Sequence, residues 1–313
     1  MTEKMATREA YGKALVELGG ENSDIVVLDA DLAKSTKTIN FSKQFPDRFF
    51  DMGIAEQNMM GTAAGLAATG KVPFASSFAV FASGRVYDQV RNSISYPALN
   101  VKIGATHAGI TVGEDGASHQ AVEDVALMRV LPNMTVFVPA DGPSTIAAVR
   151  AAVEIDGPVY IRLGRSKVPV LHGGDLDFTP GKSIGLRSGK DVTIIACGIM
   201  VAEAMEAAES LEKEGIDAAV LDMHTVKPLD VAAVIKAAKV TGAVVTAEEH
   251  SIIGGLGGAV AEVLGETVPV PIMRVGIPDV FGESGKPEEL LEKYGLRASN
   301  IATAVRDVIN RKR

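Results

Sequence analysis

Cysteine is almost absent. Cys197 is the only one in 313 residues, so no internal disulfide can form, and a reducing cytoplasm is the natural setting. It sits in the apolar run Thr193-Ile-Ile-Ala-Cys, which predicts a buried thiol. No uninterrupted apolar stretch is long enough to span a bilayer, and the opening Met-Thr-Glu-Lys-Met has no signal-peptide pattern. There is no short internal repeat and no low-complexity tract. Basic residues do not gather into a dense stretch, and the net charge is −8. Nucleic acid is therefore not expected as a partner, and isolated cations in a cleft become more telling. What is present is ordinary for a soluble globular protein: 47% hydrophobic and 22% charged residues, in a chain long enough for two domains.

Short β-rich runs alternate with helical stretches. Ile25-Val-Val-Leu28, residues 101–105, 135–138 and 159–162 read as buried strands. Tyr11, Leu15 and Leu18 recur at helical spacing, and Gly19-Gly20 is expected to stop that helix. Pro143 to Ile155 reads as an Ala-rich helix after the Asp141-Gly142 turn. Strand, helix, strand at this rhythm implies mainly parallel sheets covered by helices on both faces. Residues 167–190 break the rhythm with Gly173-Gly174, Pro180-Gly181 and Ser188-Gly189 and read as a connection between domains. Alternation then resumes, with strands near 192–196, 217–222, 242–246 and 271–275, helices near 199–214, 230–239 and 256–265, and a helical tail from Ala298. The expected fold class is α/β: two three-layer αβα domains at 1–170 and 191–313, with a linker at 171–190. The small residues Gly61, Ala63, Ala64, Gly65, Ala67 and Ala68 on helix 55–69 allow either a tight helix contact, between subunits included, or an ordinary buried helix.

Glu56 follows the strand end Phe49-Phe50 in the segment Asp51-Met-Gly-Ile-Ala-Glu-Gln-Asn-Met. It falls at the carboxyl edge of a sheet, where open α/β folds place ligands; apolar surroundings would favour its protonated form. A helix-entry glutamate is the plainer alternative. The segment Thr106-His-Ala-Gly-Ile-Thr-Val-Gly-Glu-Asp-Gly-Ala-Ser-His-Gln follows a strand, is rich in glycine, and places His107, Asp115 and His119 on one loop. Such a loop can bring imidazoles and a carboxylate around a polyhydroxylated ligand; the spacings fit no standard zinc site. Phe78 and Phe81, three apart on a stretch that reads as helical, either pack around a flat ring or belong to the core. Arg8 and Arg165 are isolated cations near element ends, suited to phosphate. Gly254-Gly-Leu-Gly-Gly258 opens a helix after Glu248-Glu249-His250 and could bind an anion, but it lacks the full dinucleotide spacing.

Together these motifs resemble the transketolase family, over nearly the whole chain from Arg8 to the last helix. Gly-Ile-Ala-Glu-Gln-Asn-Met is similar to the segment holding that family's cofactor-activating glutamate, Glu56 here. Gly-Glu-Asp-Gly-Ala-Ser-His-Gln matches its substrate loop, and Gly-Gly-Leu-Gly its C-terminal domain. The resemblance implies that Phe78 and Phe81 stack on the aminopyrimidine of thiamine diphosphate and that Asp31, in Asp29-Ala-Asp-Leu, lies near the thiazolium. Arg8, Ser35, His107 and Arg165 would hold the sugar phosphate. Asp115 and His119 would contact the sugar hydroxyls and orient the carbon–carbon bond, with Glu56, His119 and Asp115 the catalytic group. One departure is Ala75, where many transketolases carry a third aromatic.

Full-length members also carry an N-terminal diphosphate-binding domain with a Gly-Asp-Gly motif that serves magnesium. No Gly-Asp-Gly occurs here; Gly174-Asp175 runs into Leu176 and does not qualify. The resemblance therefore implies one subunit of a split transketolase, with no metal ligands of its own. A separate N-terminal subunit would supply the magnesium and diphosphate contacts in a two-plus-two heterotetramer. The activity implied is two-carbon ketol transfer between sugar phosphates, in pentose phosphate or other carbohydrate metabolism, with no membrane partner. Alternatives are the beta subunit of a 2-oxoacid dehydrogenase, a fragment like deoxyxylulose-phosphate synthase, and a non-catalytic assembly subunit. Arg8, Ser35, His107 and Arg165 weigh against the first, His107 against the second, and the Glu56, Asp115 and His119 set against the third.

Overall fold

The computed structural model describes residues 3–174 and 176–312; Asp175 of the Gly174-Asp175 pair lies outside them. In chain order the strands are β1 (Lys4–Ala6), β2 (Ile25–Asp29), β3 (Phe49–Asp51), β4 (Val72–Phe78), β5 (Lys102–Thr106), β6 (Thr135–Phe137), β7 (Val159–Arg162), β8 (Lys167–Pro169), β9 (Ile184–Arg187), β10 (Val192–Ala196), β11 (Ala218–Asp222), β12 (Thr225–Lys227), β13 (Val244–Ser251) and β14 (Ile272–Ile277). They form a seven-stranded sheet, β12-β6-β7-β5-β4-β2-β3, a five-stranded sheet, β14-β13-β10-β11-β9, and the pair β1-β8. Within the two large sheets only β12 and β9 run antiparallel to their neighbours; every other pairing in them is parallel. The mainly parallel αβα architecture expected from the alternation is the one observed.

The inner strands β2, β5, β7 and β10 are buried at every residue, as strands covered by helices on both faces must be; the edge strands β3, β9 and β14 are partly exposed. On one face of the first sheet, helix Thr7–Glu21 and helix Gly142–Glu154 pack Tyr11, Leu15 and Val149 against Phe74, Phe137 and Ile161. On the other, helix Glu56–Ala68 and the segment 81–95 bring Met59, Met60, Val86 and Ile94 onto Leu28 and Ile103. The second sheet is covered on one side by helices Met200–Glu212 and Ala298–Ile309. Each Leu, Ile or Phe buried in this way contributes about 1.5–3 kcal/mol.

Several sequence expectations change. The helix from Thr7 runs through Gly19-Gly20 to Glu21. Gly19 does not break it: an added Cβ there would lie 2.5 Å from the Phe41 ring, so the missing side chain admits a neighbour. Phe78 is not helical; it ends β4, and Phe81 opens a wide π-type turn, Phe81–Arg85. β4 was hidden by Pro73 and the Ser76-Ser77 pair within it. The segment expected to be irregular contains β8, paired with β1, and β9, an edge of the second sheet. The helix after Gly254-Gly-Leu-Gly holds its own anion: Glu248 accepts the Leu256 and Gly257 amides at 2.7 and 2.8 Å. Two of its orphan N-terminal donors are thereby satisfied from within the chain, at the place where an external anion would sit. On helix Glu56–Ala68 the small residues divide: Ala63 and Ala64 are buried, while Gly61 and Gly65 face open space. Cys197 is buried, as expected.

The two large sheets meet through one core. Ile195, Cys197, Met223 and Leu256 join Met128, Met134 and Val138 in a single cluster. A buried polar joint lies beside it. His172 Nδ1 is 3.1 Å from Asp141 and its Nε2 3.3 Å from Asp222, linking the N-cap of helix Gly142–Glu154 to the end of β11. Burial pushes the Asp222 carboxyl up to about 7, against the pull of His172. Burial alone would lower His172, but the hydrogen bond to Asp141 and the charge of Asp222 outweigh it and raise the imidazole. Both groups thus bind a proton more tightly folded than unfolded. Their contribution is full at low pH and is lost as pH rises, for Asp222 between about 4 and about 7. Asp222→Asn removes that ionisation cost. The melting temperature of the variant should gain on the wild type from about pH 4 to about pH 7 and then level off; a constant difference from about pH 4 to about pH 7 would refute the linkage.

Candidate active site

Because β2, β3, β4, β5 and β7 are parallel, their carboxyl ends share one edge of the first sheet, the edge where α/β proteins bind ligands. The turn after β2 is built by buried Asp29. Its Oδ1 accepts the Leu32 amide at 2.7 Å, and its Oδ2 accepts the Thr36 and Thr38 hydroxyls at 2.7 and 2.8 Å. Burial raises this carboxyl to about 6, while those hydrogen bonds hold it down. The turn carries Asp31 and Ser35. Asp31 is exposed, in the left-handed region at φ 60°, and its amide donates to Asp51 at the end of β3.

Glu56 opens its helix and is 3% exposed. Its carboxylate does not have the apolar surroundings expected from the sequence: Oε1 accepts a 2.7 Å hydrogen bond from Arg85. The Arg85 guanidinium in turn lies 4.2 Å from the centre of the Phe81 ring, a cation–π contact. Phe78 and Phe81 are nearly parallel, with ring centres 6.0 Å apart. The imidazole of His107 lies against Phe78 at 3.8 Å. His119 presents its edge to Phe81 at 5.3 Å.

The loop after β5 needs four left-handed residues in quick succession: His107 (φ 56°), Gly109 (78°), Gly113 (87°) and Gly116 (74°). Glycine adopts that region freely; histidine does so at a cost and is found there when its side chain is needed in place. His107 is 3% exposed. Its Nδ1 pairs with the Thr106 hydroxyl at 2.9 Å, and its Nε2 lies 3.5 Å from Arg8 Nη1. Burial, followed by the charges of Arg8, Arg165, Lys37 and His119, pushes the His107 imidazole down to about 3, so it is neutral at physiological pH. Burial also holds Arg8 below the usual arginine range; Glu9 opposes that shift and Arg165 adds to it. Arg8 donates to the Ser35 carbonyl at 2.9 Å, so Ser35 joins the group through its backbone. Arg165 donates to the Val112 carbonyl and reaches Glu114 at 3.2 Å.

The residues singled out from the sequence thus fall into two adjoining groups. Glu56, Phe78, Phe81 and His119 form one; Arg8, Ser35, His107 and Arg165 form the other. Asp31 stands at the same sheet edge. Asp115 is exposed on the loop four residues before His119 and makes no side-chain hydrogen bond among the described residues. Arg85 and Lys37 were missed. Arg85 lies four residues after Phe81, which on a helical turn would have brought it over the ring. Lys37 gave no local signal.

The sequence model of the transketolase pyrimidine-binding domain matches residues 3–170, and that of the transketolase C-terminal domain matches residues 181–301. The chain belongs to the transketolase family. A solved structure described as a split gene transketolase, an inactive beta4 tetramer, is similar at 64% identity with a TM-score of 0.93, covering 99% of this chain and all of that one. A transketolase C-terminal section from Methanocaldococcus jannaschii is 51% identical over 308 residues, 97% of this chain and 96% of that protein. A 6-deoxy-6-sulfo-D-fructose transketolase subunit from Clostridium sp. is 51% identical over 305 residues, 97% of this chain and 95% of that one. Transketolases use thiamine diphosphate and a divalent metal ion. No described helix is long and apolar enough to cross a membrane.

Proposed function

We propose that this chain is the pyrimidine-binding and C-terminal subunit of a two-subunit transketolase. Its activity would be transfer of a two-carbon ketol unit from a ketose phosphate to an aldose phosphate. The observation that carries the reading is the 3.8 Å stack of His107 on Phe78. It sets the carboxylate and aromatic group directly against the cationic group, so one ligand end can be aromatic and the next anionic.

The residues fit the aminopyrimidine part of thiamine diphosphate. Glu56 is a buried carboxylate whose one hydrogen bond comes from Arg85, a side chain 45% exposed; a ligand can replace that partner without opening the core. Phe81 offers a partly exposed ring beside it. When bound, the cofactor supplies the carbon nucleophile and the electron sink. Glu56 holds a proton at the pyrimidine ring nitrogen, Phe78 and Phe81 pack the ring, and Asp31 stands toward the thiazolium. Arg8, Ser35, His107 and Arg165 bind the sugar phosphate; the Nε of Arg8 is buried without a partner among the described residues, a donor suited to an anion. Asp115 and His119 hold the sugar hydroxyls. Among the described residues no group of three or more His, Cys, Asp or Glu is placed to hold a metal ion, and the reading assigns magnesium and the diphosphate to the partner subunit.

The functional division is taken as 1–170 for the pyrimidine-binding part and 191–313 for the C-terminal part, joined by 171–190, in a cytoplasmic two-plus-two assembly. The similar beta4 tetramer, described as inactive, supports self-association without activity. The test uses the chain alone and mixed with the polypeptide encoded beside its gene, with thiamine diphosphate and magnesium. Two-carbon transfer from xylulose 5-phosphate to ribose 5-phosphate should occur only in the mixture. A 6-sulfonated ketose belongs in the same assay, since a sulfonate presents the cation group with the same tetrahedral anion and one similar subunit is named for it. Acyl transfer from pyruvate in place of ketol transfer would assign the chain to the 2-oxoacid dehydrogenases. Activity of the chain alone would refute the two-subunit reading.

A further inference from the structure

Every residue in the proposed active site precedes residue 166, so the second sheet has no part in the reading so far. Yet a side chain of that sheet lies beneath the loop carrying the cationic group. Glu249, on β13, is 3% exposed. Its Oε1 accepts the Thr111 amide at 2.7 Å. Gly109 lies flat against the same carboxylate: in its left-handed conformation an added Cβ would fall 2.2 Å from Glu249 Cδ, closer than any side chain tolerates. Glu249 is itself anchored, because its carbonyl accepts from Arg162 Nη2 at 2.9 Å. Hydrogen bonds tie the same loop to the second half of the chain at two more places. Gln120 bridges the Ile110 and Gly113 carbonyls to that of Glu283, and Ser284 donates to the Glu114 carbonyl at 2.6 Å.

We propose that Glu249 is a positioning residue: from the second sheet it fixes the backbone of Gly109–Gly113, and through that loop it sets the affinity of the site for the phosphorylated sugar. The inference rests on the transketolase reading. Two phosphate-binding groups depend on this stretch. His107 begins the turn that Gly109 completes, and Arg165 donates to the Val112 carbonyl. A backbone released at Thr111 would loosen the frame of both, while Glu56, Phe78 and Phe81 belong to other elements. Burial pushes the Glu249 carboxyl up to about 7, against the charge of Arg162 and the Thr111 hydrogen bond. A neutral acceptor of the same shape should therefore serve, so Glu249→Gln should behave as wild type and Glu249→Ala should not.

The experiment compares wild type, Glu249→Gln and Glu249→Ala, each as the full chain assembled with its partner subunit. Amide hydrogen exchange is read across the chain, and KM is measured for xylulose 5-phosphate and for thiamine diphosphate. In Glu249→Ala, exchange should quicken in the peptide covering 109–113, with the strands of both sheets unchanged. KM for the sugar phosphate should rise about tenfold while kcat and the cofactor KM hold, the pattern of binding lost equally from ground state and transition state. Glu249→Gln should restore both. Unchanged exchange at 109–113, exchange that quickens everywhere, or a fall in kcat with KM unmoved would each overturn the inference. Absence of ketol transfer in the wild-type mixture would instead overturn the transketolase reading, visible before any variant is made.

Discussion

Glu56→Gln should lower two-carbon transfer by the assembled enzyme by at least about a hundredfold, the usual scale for a positioned proton donor or acceptor. The substitution preserves shape. A glutamine amide fills the same space at the start of helix Glu56–Ala68, and its oxygen can still accept from Arg85. What it cannot do is hold and release a proton at the ring nitrogen. Structure should survive, because the lost charge faces an arginine with nearly half its surface in water, and such a pair contributes little. The expected result is therefore a catalytic loss with unchanged melting temperature and unchanged assembly with the partner subunit. Turnover near the wild-type value would remove Glu56 from the mechanism.

A second large effect concerns stability. Arg162→Met should cost about 3–5 kcal/mol, the range for removing one partner of a buried ion pair. Arg162 is 7% exposed and Asp124 fully buried. The guanidinium Nε lies 2.9 and 3.1 Å from the two Asp124 oxygens, and Nη2 donates to the carbonyls of Ala121 and Glu249. Methionine matches the stem but leaves the buried Asp124 carboxyl without its cation, with the Tyr160 hydroxyl at 2.8 Å as its remaining side-chain partner. Adding Asp124→Asn removes the stranded charge, so the double variant should recover a large part of the loss. Denaturant midpoints of the four proteins would show this. A single-variant cost under about 1 kcal/mol would mean that water reaches the pair.

Much of this was legible in the sequence because the signals were local. A parallel sheet announces itself as apolar runs such as Ile25–Leu28 separated by helical periods, and the glycine-rich loop with two histidines stands out by composition. Arg8 and Arg165 were legible singly as phosphate candidates, but their grouping with Ser35 and His107 came only through the resemblance, since the two arginines come from opposite ends of the first sheet's segment and meet only in the fold. What stayed hidden depends on long-range partners. Gly19 reads as a stop until Phe41 and Phe45 are seen packed against it. The acceptor for the Leu256 and Gly257 amides was Glu248, a few residues upstream across a turn. Glu249 gives no sign in sequence that it reaches Thr111, because the contact joins two sheets.

The strand β12 sets an order on how this protein can be made. The free edge of β6 is covered only by Thr225–Lys227, which leave the ribosome after β10, helix Met200–Glu212 and β11. Until then the growing chain presents an unpaired sheet edge, a template for pairing with neighbouring chains. The first sheet thus borrows its final strand from sequence that otherwise builds the second. Nascent chains halted between β7 and β12 would carry that open edge, whatever the state of their own cores.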